Sequence, residues 1–195
     1  MHGMINRALQ GFLVAHYGER SWDEIRGIAG IPPEGFEAML QYDEAQTLAC
    51  FEAAVTVLHK HPNALLEDIG TYLVTNPALE PLRRLLRFGG ATFLDFLLSL
   101  EDLRDRGRLA IPDLDLPRIR VEELDPSSYR IRAQWSLPGI APILLGGLRA
   151  MADDYGALAL LRLDGMRPGE ECLHVQLLDM TFAEGRQFVL GGVGA

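Results

Sequence analysis

An α+β fold, with helices packed on a small antiparallel sheet of about four strands, is predicted by three features of the sequence. Apolar residues recur every three or four positions through the first two thirds of the chain. Beyond Pro117 the period falls to two over two consecutive stretches, the mark of half-buried strands. One further helical stretch then separates those strands from two more. Helices and strands are thus segregated rather than alternating, which argues against a parallel, doubly wound sheet.

The elements follow in order. Ile5 to Tyr17 sets Ile5, Leu9, Phe12 and Leu13 on one helical face, and Gly18 is a stop. Ser21-Trp22-Asp23-Glu24 has capping-box spacing, so a second helix is expected from Trp22 towards Gly30. Ile31-Pro32-Pro33 breaks the chain. Asp43 caps a third helix with Leu48, Phe51, Val55 and Leu58 on its inner side. Asn63 opens a helix from Ala64 to Val74, closed by Thr75-Asn76-Pro77, and Leu79 to Phe88 forms another that ends at Gly89-Gly90. Thr92 caps a helix from Phe93 to Arg106 whose stripe is Phe93, Phe96, Leu97, Leu100 and Leu103. Arg104, four residues beyond Leu100, falls at the end of that stripe.

Pro112 and Pro117 punctuate an extended loop. Ile119, Val121 and Leu124, then Tyr129, Ile131, Ala133 and Trp135, alternate with charged or polar residues, joined by the turn Asp125-Pro126-Ser127. Ile140 to Tyr155 is helical, and Ala157 to Leu163 and Cys172 to Met180 are strands. No internal repeat, low-complexity tract or long linker interrupts the order.

With 195 residues, 48% hydrophobic and 23% charged, the chain is long enough for one sizeable domain or two subdomains sharing a core. Eighteen basic against 27 acidic side chains give a net charge of −9, a field that excludes nucleic acid and anionic membrane surfaces as partners. Lys60 is the only lysine, so the positive charge is nearly all guanidinium. Two cysteines, Cys50 and Cys172, are too few for a disulfide framework. With no signal-peptide pattern at the start and no apolar run of about 18 residues, a cytoplasmic location is expected.

The residues supply no catalytic set, so an enzyme is not expected. His59 and His61 lie about 200° apart on a helix and cannot share a metal there. His16 flanks the apolar face of the first helix, His174 sits in a strand with no second ligand, and His2 is terminal. No nucleophile elbow, phosphate-binding glycine loop or metal spacing of Cys and His occurs. Cys50 and Cys172 read as small core residues, and Asp153-Asp154 and Glu170-Glu171 as solvated neighbours.

A family resemblance adds to this reading. Met1-x-Gly3-x-Ile5-Asn6-x-Ala8-Leu9, Tyr17-Gly18 and Trp22-x-x-Ile25 resemble the N-terminus of the heme–nitric oxide/oxygen binding (H-NOX) family, the sensor module of soluble guanylate cyclase. Phe93-Leu94-Asp95 with Leu100-x-x-Leu103, the prolines Pro112 and Pro117, and Pro138-Gly139-Ile140 with Gly146 extend the likeness over essentially the whole chain. The resemblance implies a distal-type helical subdomain over residues 1–62 and a proximal-type subdomain over 63–195. The latter would contain a signalling helix at 92–106 and an antiparallel sheet within 118–190, all in one compact unit.

In that family a proximal histidine ligates heme iron and a Tyr-x-Ser-x-Arg motif holds the propionates; nitric oxide weakens the histidine–iron bond and moves the proximal helix. Carried over residue by residue, the ligand position is Arg104, whose guanidinium has no lone pair to offer iron. The three motif positions are Ala133, Trp135 and Leu137, and sliding the register so that Tyr129 leads puts Ile131 and Ala133 at the other two. The tyrosine of oxygen-binding members falls near Pro142 or Ile143. Ile5 matches a residue packed on the distal side of the heme, and Pro117 one that presses on the porphyrin.

The expectation is a sensor or signalling module with a degenerate heme site, heme-free or atypically ligated. It would act through protein interaction or another small apolar ligand, with Trp135 filling vacated space; the structural alternative at Arg104 is pairing with Glu101 or Asp105 along its helix, which requires that helix face to turn away from the pocket. The alternative is a heme-based sensor of nitric oxide or carbon monoxide that uses a non-standard axial ligand, with His16 and Met4 as conceivable donors. The resemblance implies a partner of the histidine kinase or cyclic-di-nucleotide enzyme type, as for stand-alone bacterial members.

Overall fold

The computed structural model describes residues 1–167 and 169–186; the parts of the expected sheet and second subdomain beyond 186 lie outside the described residues. Seven α-helices and four strands occur among them: α1 Gly3–Ile28, α2 Glu44–Leu58, α3 Pro62–Thr75, α4 Glu80–Arg87, α5 Phe93–Ser99, α6 Leu103–Ala110, β1 Arg118–Asp125, β2 Ser128–Gln134, α7 Ile140–Tyr155, β3 Leu158–Arg167 and β4 Glu170–Asp179. The sheet is antiparallel throughout, in the order β1-β2-β4-β3. This is the α+β architecture that the sequence predicts.

Gly18 kinks α1 with φ 79° and ψ 168°, a conformation that favours glycine. The helix resumes at once, so Ser21 lies inside it rather than capping a new helix. Asp43 does cap α2, accepting the Ala45 amide proton at 2.9 Å. The inner face of α2 is made by Thr47, Cys50, Ala53 and Ala54, while Leu48, Phe51, Val55 and Leu58 are only half-buried. Both sets have helical spacing; the smaller one lets the helix approach α1, where Thr47 donates to buried Asn6 at 2.8 Å. His59 ends α2 in the left-handed region, and the His61 ring accepts from the Asn63 amide to start α3.

Thr92 and Asp95 form a reciprocal capping box on α5. The single helix expected to run to Arg106 instead tightens into a 3₁₀ turn at Leu100–Asp102 and restarts as α6. Two side chains hold that break. Glu101 accepts the Val121 amide of β1 at 2.8 Å, and Arg106 donates to the Ser99 carbonyl at 2.9 Å.

A bulge between Glu123 and Asp125 turns Leu124 outward. One face of the sheet packs on α7 through Ile131, Ala133, Leu173 and Val175. The other carries Arg130, His174 and Arg162 in register, and Cys172 opposite Arg132. Cys172 is therefore half-buried on the open face rather than in the core. A first apolar cluster joins α1, α2 and most of α3; a second joins α5, the sheet, α7 and Val74 of α3. Between α3 and α7 the backbones touch, because a Cβ on Gly70 would overlap the Ile143 carbonyl and one on Gly146 the Glu67 carbonyl.

Two carboxylates read as solvated are buried. Asp154, 4% exposed, accepts from Arg83 Nε at 2.9 Å and Nη2 at 2.6 Å, tying α4 to the end of α7. Burial lowers the Arg83 pKa, but the hydrogen bonds and charges of Asp154, then Glu80, raise it above its ordinary value. Glu171 accepts the amide protons of Gly139 at 2.6 Å and Ala141 at 2.8 Å, so β4 caps the start of α7. The adjacent acidic residues face different ways because a strand alternates its side chains and a helix end exposes only part of its circumference.

Candidate functional site

Arg104 stands in the first turn of α6, and the loop after that helix returns Asp115 to it. Arg104 Nη2 donates to Asp115 at 3.3 Å, not to Glu101 or Asp105 on its own helix. Just past β2, Trp135 packs half-buried against the second apolar cluster. Together with Leu116 and the exposed Arg118, Gln134 and Ser136, these residues line an open groove of about 350 Å³. A second cavity of about 220 Å³ shares Arg118 and Gln134 with it and adds Arg120, Arg132 and Glu170.

Of the family-derived positions, Arg104 and Trp135 meet in this cavity. Neither cavity is lined by the other five. Ile5 is half-buried on α1, Pro117 is buried beside the lining residues Leu116 and Arg118, and Ala133 is fully buried under the sheet. Leu137 is buried just before α7, and Ile143 is half-buried between the two apolar clusters.

Donors for a metal are scarce there. Among the described residues Asp115 is the one carboxylate lining the larger cavity, and Arg104 engages it. Among the described residues, no histidine, cysteine, methionine or tyrosine lines either cavity. His16 is exposed and hydrogen-bonds the Phe12 carbonyl, and Met4 is 40% exposed. Burial pushes the Cys50 thiol up to about 12, which keeps it protonated. Among the described residues no group of three His, Cys, Asp or Glu side chains could hold a metal ion.

The wall is rich in donors and short of acceptors. Among the described residues, Arg104 Nε and Trp135 Nε1 are both buried away from solvent without an acceptor. Arg118 forms no ion pair or hydrogen bond with another described side chain. Sequence reading missed Asp115, Arg118, Gln134 and Ser136 as members of one site. The hairpin turn carries part of the signal, since it sets β1 against β2. The bulge at Leu124 then fixes Arg118 opposite Gln134, a one-residue shift that alternation alone does not reveal.

The profile described as Haem-NO-binding matches residues 2–158. The chain belongs to the haem-NO-binding, or H-NOX, family. It is 22% identical over 154 residues to soluble guanylate cyclase gcy-31 of Caenorhabditis elegans, covering 79% of this chain and 22% of that protein. To soluble guanylate cyclase 89Db of Drosophila melanogaster it is 20% identical over 159 residues, 81% of this chain and 24% of that one. The chain thus spans about a quarter of the curated relatives it matches.

Among solved structures, the Fe(II) unliganded H-NOX protein of K. algicida aligns with a TM-score of 0.80 at 17% identity, covering 94% of this chain and 100% of that one. An Fe(II) H-NOX variant from S. oneidensis aligns with a TM-score of 0.79 at 17% identity, over 96% and 100%. At such identities the structural likeness establishes the fold alone. No described helix is long and apolar enough to cross a membrane.

Proposed function

We propose that this chain is a non-catalytic H-NOX-type signalling module whose heme site is degenerate, and that it works without heme held in the family manner. The observation that carries this reading is the fate of Arg104. The side chain at the iron-ligand position is a permanent cation that pairs with Asp115 in the wall of a groove whose described lining residues include no imidazole or thiol. The residues at the propionate-clamp positions, Ala133, Trp135 and Leu137, offer one indole N–H in place of three stronger donors. A heme would also need an axial iron ligand, and among the described residues neither wall offers a histidine, cysteine, methionine or tyrosine to supply one.

Signal output in this reading is contact with a partner protein, of the histidine kinase or cyclic-di-nucleotide enzyme type that the family resemblance suggests. Supporting it, Leu98 of α5 and Leu109 of α6 are exposed at 47% and 88% on helices braced to the sheet through Glu101. Absorption spectroscopy of protein produced with heme precursor tests the proposal. The expected spectrum lacks a stoichiometric Soret band. A full-occupancy Soret band would overturn the reading in favour of a gas sensor with a non-standard axial ligand.

A further inference from the structure

We propose that the groove beside α6 binds a small oxyanion, a carboxylate or phosphoryl compound, seated on the guanidinium of Arg118. This names the ligand class of the site just described. It rests on the heme-free reading, because a porphyrin would contend for the same space.

Four arginines line the two adjoining cavities, against the carboxylates of Asp115 and Glu170. Three of the four are committed. Arg104 pairs with Asp115 at 3.3 Å, Arg120 with Glu101 at 3.6 Å, and Arg132 with Glu122 at 3.1 Å and Glu170 at 3.4 Å. Arg118 has no such partner among the described residues, and it is one of the two residues that both cavities share. A guanidinium fork matches the oxygens of a carboxylate or phosphate in bidentate geometry. Ser136 adds a hydroxyl donor, and Trp135 gives the groove an apolar wall against which a short carbon chain can lie.

The composition of the wall decides the ligand class. Five of the seven residues around the larger cavity are polar or charged, so an apolar guest would strip water from groups it cannot bond. Its volume of about 350 Å³ is at the small end for ligand pockets, which suits a compact metabolite. The net charge of −9 makes the remainder of the molecule repel anions, so attraction here is local to Arg118 and sensitive to salt.

Calorimetric titration of the full chain with succinate, with inorganic phosphate and with neutral succinamide tests the proposal, alongside the NMR signal of the Trp135 indole N–H. Saturable binding of succinate or phosphate is expected, and which one binds distinguishes the carboxylate from the phosphoryl source. Arg118→Gln weakens it roughly tenfold or more, the loss of a charge-assisted pair. Arg162→Gln, which removes a cation from β3 at the opposite edge of the sheet, leaves it unchanged, and succinamide does not bind. Equal affinity in Arg118→Gln, or no saturation by either anion in heme-free protein, overturns the proposal while leaving the heme-free reading intact. A stoichiometric Soret band in the same preparation overturns both.

Discussion

Arg104 reaches across to Asp115, 3.3 Å away, and so closes the loop that carries Pro112 and Pro117 onto the first turn of α6. A side chain placed to face a bound group from its helix is thereby tied to its own protein. If that tie and the Trp135 indole occupy what would otherwise admit a porphyrin, the pair Arg104→His and Trp135→Ser should acquire hemin binding. A Soret band on titration with hemin, absent from the wild type, is the expected result. Extending the set with Ala133→Tyr should lower the melting temperature, because Ala133 is fully buried and overpacking costs about 1–3 kcal/mol.

Glu171 should prove one of the most costly acidic residues to remove. Its carboxylate serves two amides at the start of α7, and Glu171→Ala leaves both without their acceptor. A loss of about 2–3 kcal/mol in urea unfolding is expected, with Glu171→Gln losing less.

The buried partner of Arg83 makes a similar case. Asp154→Ala leaves the guanidinium of Arg83 without its main counter-charge, and a loss of about 3 kcal/mol or more is expected by chemical denaturation. Replacing both residues at once, Arg83→Met with Asp154→Leu, should cost less than the single change.

Gly70→Ala and Gly146→Ala each place a methyl group on a backbone carbonyl of the facing helix. Both should destabilise by about 1–3 kcal/mol or more, although alanine is the better helix former. Gly27→Ala, where a methyl meets open space, supplies the control and should be neutral or stabilising.

Acid should weaken the fold by a definite route. The side chains of Arg83, then Arg84, hold Glu80 below its ordinary value of 4.5, and the Thr92 capping box holds Asp95 below 3.8. A carboxylate depressed in the folded state contributes stability that is present above its unfolded pKa and lost as pH falls through the folded one. Melting temperature should therefore be flat through neutral pH and fall below about 4.5, with a shallower fall in Asp95→Asn.

Much of the architecture was legible because it is written in local terms. Asp43 and Thr92 mark helix starts through their own capping side chains, Gly18 marks a kink where a stop is expected, and the change of period after Pro117 marks the sheet. The misses share a cause. The inner face of α2, the break at Leu100–Asp102 and the burial of Asp154 and Glu171 depend on groups 20 or more residues away, such as Val121 for Glu101, and on Arg83 for Asp154 at a separation of 71.

By itself, the sequence determined the order of elements, the family and the presence of an arginine where a ligand is expected, since each is a property of residues near one another in the chain. Tertiary structure alone decided that Arg104 turns to Asp115, that Arg118 has no ion-pair partner among the described residues, and that α3 meets α7 backbone to backbone. Those outcomes turn on strand register and helix crossing, where a shift of one residue changes which side chains face each other.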